Sequence, residues 1–122
     1  MNLTGIEENG ALCVLVESDE PVITDAQSAI DLLMSAQYDV GSKDIVIPKQ
    51  LIVEDFFVLS TGLAGEVLQK YVNYDGRMAI YGDYSRYTSK PLKDFMYESN
   101  KGRDFFFVST RDEAVAALAK SR

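Results

Sequence analysis

Apolar residues in this chain fall into two alternating patterns. Leu12-Cys-Val-Leu-Val16, Ile45-Val-Ile47, Met78-Ala-Ile-Tyr81 and Phe105-Phe-Phe-Val108 are short, near-continuous apolar runs. Such runs, too short for helices and without alternation, predict strands covered on both faces. After them, apolar residues recur at helical spacing: Ala26, Ala29, Ile30, Leu33 and Met34, then Leu63, Val67, Leu68, Tyr71 and Val72. Leu92, Phe95 and Met96 form a third stripe, and Ala114, Val115, Ala117 and Leu118 a fourth. Each predicts an amphipathic helix with one buried face.

Punctuation residues divide these elements. Asn9-Gly10 favours a tight hairpin turn, so residues 3–7 are expected to fold back on the first apolar run as a small strand. Thr24-Asp-Ala-Gln27 and Thr110-Arg-Asp-Glu113 read as capping boxes. Gly41 ends the first helix, Pro48 closes the second core strand, and Asp75-Gly76 leads into the third. Pro91 suits the first turn of a helix, and Gly102 its end. Residues 49–59, KQLIVEDFFVL, make a long connection with apolar content of its own. Strand and helix alternate throughout, which argues an α/β fold with right-handed crossovers. The expected architecture is a largely parallel four-stranded sheet with an N-terminal hairpin strand, in one domain over residues 1–122.

Composition narrows the function classes. A chain of 122 residues suits one core. One cysteine, Cys13, permits no intrachain disulfide and reads as a packed core residue, which fits a reducing cytoplasm. The start, MNLTGIEENG, lacks the features of a secretory signal, and no apolar run approaches a membrane span. Formal net charge is -7, and Lys90, Lys93, Lys101 and Arg103 are interleaved with Asp94, Glu98 and Asp104. That pattern speaks against nucleic-acid backbones as partners. With no histidine, Ser-His and Cys-His nucleophile systems and histidine metal sites are excluded. No phosphate loop or dinucleotide fingerprint occurs, so no cofactor is expected. Catalysis by carboxylates, lysine or tyrosine stays open.

The candidate chemistry lies around FFVLSTGLAGEVLQKY, residues 56–71. Ser60 or Thr61 is placed to cap the second helix, whose unpaired amides and dipole favour negative charge. Gly62 and Gly65 leave one helix face bare, with Glu66 a turn further on. The 49–59 and 82–90 loops both leave carboxyl ends of strands, where ligands gather on parallel sheets. Glu54, Asp55, Asp83, Ser85, Tyr87 and Lys90 are therefore expected to converge. Paired carboxylates there suit acid–base work or a magnesium ion, although their spacing demands neither and no metal set is assigned. Tyr81, Tyr84 and Tyr87 suit protein contacts or core anchoring, and Tyr97, Glu98 and Asn100 either recognition or helix termination. Val53, Phe56 and Phe57 are candidates for the apolar surface of a homodimer.

The order of elements, NGALCVLV, DIVIP and above all STGLAGEVLQKY resemble the STAS domain of the anti-sigma factor antagonists and sulphate-transporter tails. Ser60-Thr61-Gly62-Leu63 matches that family's Ser-Ser-Gly-Leu, while its preceding aspartate is Leu59 here. The resemblance implies a regulatory, protein-binding domain whose kinase- or regulator-like partner docks at the mouth of the second helix, with Ser60 or Thr61 as phosphoacceptor. EDFF-x-L-x-TGLAGE-x-LQK, GD-x-S-x-Y-x-SK and DF-x-YESN-x-G also resemble a family of small bacterial proteins of unknown function. The first expectation is thus a non-catalytic module that docks a protein through Ser60-Thr61-Gly62 and the 82–90 loop. Its contact set is Glu54, Asp55, Phe57, Ser60, Thr61, Gly62, Gly65, Glu66, Asp83, Ser85, Tyr87 and Lys90. The alternative is a small-ligand or metal-binding pocket, enzymatic or not, built from Glu54, Asp55, Glu66, Asp83 and Lys90.

Overall fold

A computed structural model of the protein describes residues 1–121. Asn9 and Gly10 both take positive φ, 52° and 79°, which builds a two-residue turn of the twist that flanking strands require. The turn pairs β1 (Asn2–Glu8) antiparallel to β2 (Ala11–Glu17) in continuous register. β3 (Asp44–Pro48), β4 (Arg77–Tyr81) and β5 (Phe105–Val108) follow in parallel, in the spatial order β1-β2-β3-β4-β5. The hairpin strand is a full, seven-residue member. The expected four-stranded sheet with an appended strand is therefore a five-stranded mixed sheet.

Every parallel crossover steps in the same direction across the sheet, so right-handed connections set their helices on one face. These are α1 (Ala26–Asp39), α2 (Leu63–Asn73) and α3 (Lys90–Lys101). They share a core cluster with Val14, Val16, Ile45, Ile47, Met78, Ile80, Phe105 and Phe107. Alternate residues of the same strands, Cys13, Leu15, Val46, Ala79 and Phe106, face α4 (Arg111–Lys120). The apolar runs are continuous because both faces are covered, and each fully buried side chain adds about 1.5–3 kcal/mol.

Helix details differ from expectation in three ways. The first capping box lies one residue later: Asp25 accepts from Ser28 N at 2.7 Å, and Ser28 Oγ accepts from Asp25 N at 3.1 Å. Gln27 instead donates to Asp31. The α1 stripe runs through Ala26, Ala29, Leu32, Leu33 and Ala36, leaving Met34 exposed. In α2 the small Ala64 joins Val67 and Tyr71 inside while Val72 faces out. Tyr71 crosses to α1, donating its hydroxyl to Ala29 O at 2.7 Å, and burial pushes that phenol's pKa up. Gly102 terminates α3 from an extended conformation (φ -92°), with its N–H donating to Ser99 O.

Below the strands' amino ends, Arg77 fastens α4 to the sheet. It pairs with the buried Asp44 at 3.1 Å, donates to Arg103 O and Leu118 O, and bonds the Ser121 hydroxyl. Residues 49–61 form three short 3-10 turns, Lys49–Leu51, Glu54–Phe57 and Leu59–Thr61. Phe56 and Phe57 are buried in the monomer's own core, so they supply no surface for the homodimer expected of them; Val53 beside them is half-buried.

Candidate functional site

Pro48 and Tyr81 are paired at the carboxyl ends of β3 and β4, so the two connections that leave them rise side by side. Gly82 follows at φ 154°, and a Cβ there would lie 2.9 Å from Lys49 Cβ. Its bare backbone lets Lys49 pass over the sheet end. The Lys49 ammonium then sits 5.5 Å from the Phe57 ring centroid and 5.0 Å from that of Tyr87. Those two rings stack at 5.3 Å with an interplanar angle of 19°.

Around this stack the polar groups are interlocked. The Tyr87 hydroxyl donates to Glu54 at 3.0 Å and accepts from Arg86 at 3.2 Å, and Arg86 also pairs with Glu54. The Tyr87 hydroxyl, then the Glu54 charge, hold the Arg86 guanidinium above its ordinary pKa. Both partners of the pair are more than half exposed, so solvent screens this ion pair, which orients the loop rather than stabilising the fold. Tyr84 anchors the same loop inward: its hydroxyl donates to Ile80 O at 2.7 Å, its ring meets Phe107 edge-on, and burial pushes its pKa up. The Asp83 carboxylate accepts from Ser85 N at 2.9 Å, which lowers its pKa, with the Lys49 charge as a lesser cause.

At the mouth of α2 the cap is Gly62, in a left-handed conformation (φ 81°) without side-chain capping. Thr61 sits one residue outside it. Its hydroxyl donates to Asp55 O at 2.7 Å and accepts from Leu63 N at 3.3 Å, tying the Glu54–Phe57 turn to the helix start. Neither Ser60 nor Thr61 therefore takes the cap position expected of them. A side chain cannot occupy the left-handed cap conformation cheaply, so glycine claims it. Ser60 is exposed, and its hydroxyl has no protein partner among the described residues. The glycine face proves open: nothing lies within 4 Å of a Cβ built at Gly62 or Gly65.

A cavity of about 600 Å³ joins the two connections. Phe57, Val58, Leu59 and Ser60 line one side, and Arg86, Tyr87, Thr88, Ser89, Pro91 and Leu92 the other. The structure thus brings Phe57, Ser60 and Tyr87 to one hollow, with Glu54 held against it through Arg86 and Tyr87. Asp55, Thr61, Gly62, Gly65, Glu66, Asp83 and Ser85 do not line it, and Lys90 is turned to Asp94 at 2.7 Å on its own helix. No carboxylate lines the cavity itself. Among the described residues no group of three or more His, Cys, Asp or Glu could hold a metal ion. Lys49 and Arg86 are the members that sequence reasoning missed. Arg86 had a signal, as the only cation in the tyrosine-rich 82–89 loop, and Lys49 had one in its place directly after a strand-ending proline.

Asn100, a candidate for recognition, is engaged internally. Its side-chain amide donates to Phe107 O at 3.1 Å and accepts from Phe107 N at 2.7 Å, pairing the free edge of β5. Tyr97 is exposed, with the Lys101 ammonium 4.2 Å from its ring centroid. Among the described residues no helix is long and apolar enough to cross a membrane. A family model described as a domain of unknown function (DUF4180) matches residues 8–118, from the hairpin turn to the last helix. No curated protein and no solved structure matches the chain.

Proposed function

The chain belongs to the DUF4180 family of domains of unknown function, and we propose that it is a non-catalytic protein-docking module of STAS-like kind. Its partner seats in the hollow between the mouth of α2 and the 82–90 loop. The observation that carries this reading is that one cavity is lined by both Ser60 and the Arg86–Ser89 segment, which arrive from different strand ends. Buried Phe57 and Leu92 give the hollow an apolar floor, and exposed Ser60, Thr88, Ser89 and Arg86 give it a polar rim. An apolar anchor side chain ringed by hydrogen-bonding groups is how protein interfaces concentrate affinity. The Ser60–Leu63 match and the order of elements support the STAS-like part of the proposal. The lone, buried Cys13 supports a reducing, cytoplasmic setting.

Ser60 supplies the control point. Phosphorylation there adds about 1.5–2 negative charges to the rim of the hollow. It would compete with Glu54 for Arg86 and bring a costly charge into the docked interface. The test compares Ser60→Asp with Ser60→Ala for capture of a native partner. The aspartate variant should lose the partner while keeping the parent's melting temperature, and the alanine variant should retain it. Equal capture by both would remove Ser60 from the mechanism.

A second reading rests on the cavity's volume, which lies in the range of small-ligand pockets, and on the Lys49 and Arg86 cations beside it. A ligand at a hundredfold excess over its Kd would add about 2.7 kcal/mol of stability. A thermal-shift screen with nucleotides, metabolites and divalent ions tests that reading, and a cavity ligand should lose its shift in Arg86→Ala.

A further inference from the structure

The two edges of the sheet are treated differently. At the β5 edge, the outward N–H and C=O of Phe107 are both consumed by Asn100, and Ser109 N donates to Glu113. At the β1 edge nothing of the kind exists among the described residues. The two-residue Asn9-Gly10 turn makes Glu8 and Ala11 a hydrogen-bonded pair. Alternation then points the N–H and C=O groups of Leu3, Gly5 and Glu7 away from β2. β1 runs for seven residues in unbroken register, and its Asn2–Ile6 stretch carries no charge, proline or bulge. Folded proteins usually blunt an edge with one of those devices, because an unpaired strand is a template for another. Thr4 and Ile6 add β-branched neighbours for a cross-strand partner, and Ile6 is exposed.

Charge selects the occupant. No lysine or arginine precedes Lys43, while eight of the chain's 19 carboxylates lie before it. Because strand order follows sequence order, that charge collects at the β1–β2–α1 side of the molecule. Glu7 and Glu8 flank the open edge itself, and Glu17 pairs across from Asn2. Two copies meeting edge to edge would place these acidic sides together, so a second copy is repelled. An extended segment rich in lysine or arginine is attracted.

We propose that the outer edge of β1 docks an extended, basic polypeptide segment, which adds to the sheet as a sixth strand. Backbone bonds to Leu3, Gly5 and Glu7 supply the register, and the surrounding carboxylates supply selectivity. This site is independent of the Ser60 hollow.

A short, labelled peptide alternating lysine and valine serves as the probe, followed by fluorescence anisotropy and by amide exchange in the full chain. The peptide should bind, weakening about fivefold or more as salt screens the charges. On binding, exchange at the Leu3, Gly5 and Glu7 amides should slow by about tenfold or more, as newly paired groups do. The same peptide N-methylated throughout keeps its charge but cannot pair, and it should not bind. Ser60→Asp should bind the probe like the parent, which separates this site from the docking hollow. Equal binding of the methylated peptide, or binding without slower exchange at those amides, would reduce the edge to a non-specific acidic patch and overturn the proposal. So would dimerisation of the protein alone with protection of the same amides.

Discussion

Replacing Asn100 by alanine separates a structural role for this residue from a recognition role. The side chain lies on α3 and makes two hydrogen bonds to Phe107, one donated at 3.1 Å and one accepted at 2.7 Å. Each bond contributes about 0.5–1.5 kcal/mol net, and water can partly replace both at an open edge, so the loss should be about 1–2 kcal/mol. Unfolding entropy is about 2.1 cal/mol/K per residue, or about 0.26 kcal/mol/K over the chain's 122 residues. The melting temperature should then fall by about 4–8 °C. Asn100→Asp keeps the acceptor for Phe107 N but turns a carboxylate oxygen toward Phe107 O, so it should fall at least as far. Thermal denaturation followed by circular dichroism measures the loss. Light scattering at the same concentration reports self-association through the opened β5 edge. If both variants melt within about 1 °C of the parent, Asn100 does not seal that edge and the reasoning fails.

Two further outcomes follow from the same physics. Arg77→Met removes the arginine that pairs with Asp44 and bonds Arg103 O and Leu118 O, so it should cost about 1.5–3 kcal/mol in urea denaturation, and an unchanged midpoint would remove Arg77 as the tie between α4 and the sheet. The Asp25 carboxyl is held below its ordinary value of 3.8 by the Ser28 backbone bond, so the stability it contributes is present above that value and lost as pH falls through the folded pKa. Asp25→Asn retains a capping side chain and should flatten this part of the acid denaturation profile; an unchanged profile would remove Asp25 as its source.

Much of the fold was legible because the sequence is locally consistent. Continuous apolar runs marked strands covered on both faces, and the Thr110–Glu113 box opened the last helix where expected. What failed did so where tertiary packing overrides a local signal. Met34 and Val72 satisfy helical spacing, yet the buried stripes run through Ala29, Leu32, Leu33 and Ala36 on α1 and Ala64, Val67 and Tyr71 on α2, with Tyr71 bonding Ala29 O between the two helices. Phe56 and Phe57, candidates for a homodimer surface, lie in the connection after β3. Short 3-10 turns fold them back into the core instead. The Ser60-Thr61-Gly62 stretch was legible as a helix mouth. The choice of cap was not, since it depends on the left-handed backbone at Gly62. The meeting of the two loops could be anticipated from strand ends. The stack of Lys49, Phe57 and Tyr87 could not, because it requires the space left open at Gly82.

The docking account is tested most directly by photocrosslinking in the native cell, with a photoreactive residue placed at Val58 or Thr88 inside the hollow and at Lys93 outside it. Adducts to one common protein should form from Val58 and Thr88, be absent from Lys93, and disappear when Ser60→Asp is added to a chain that still melts like the parent. Adducts of equal yield from all three positions, or adducts from the hollow that survive Ser60→Asp, would contradict it.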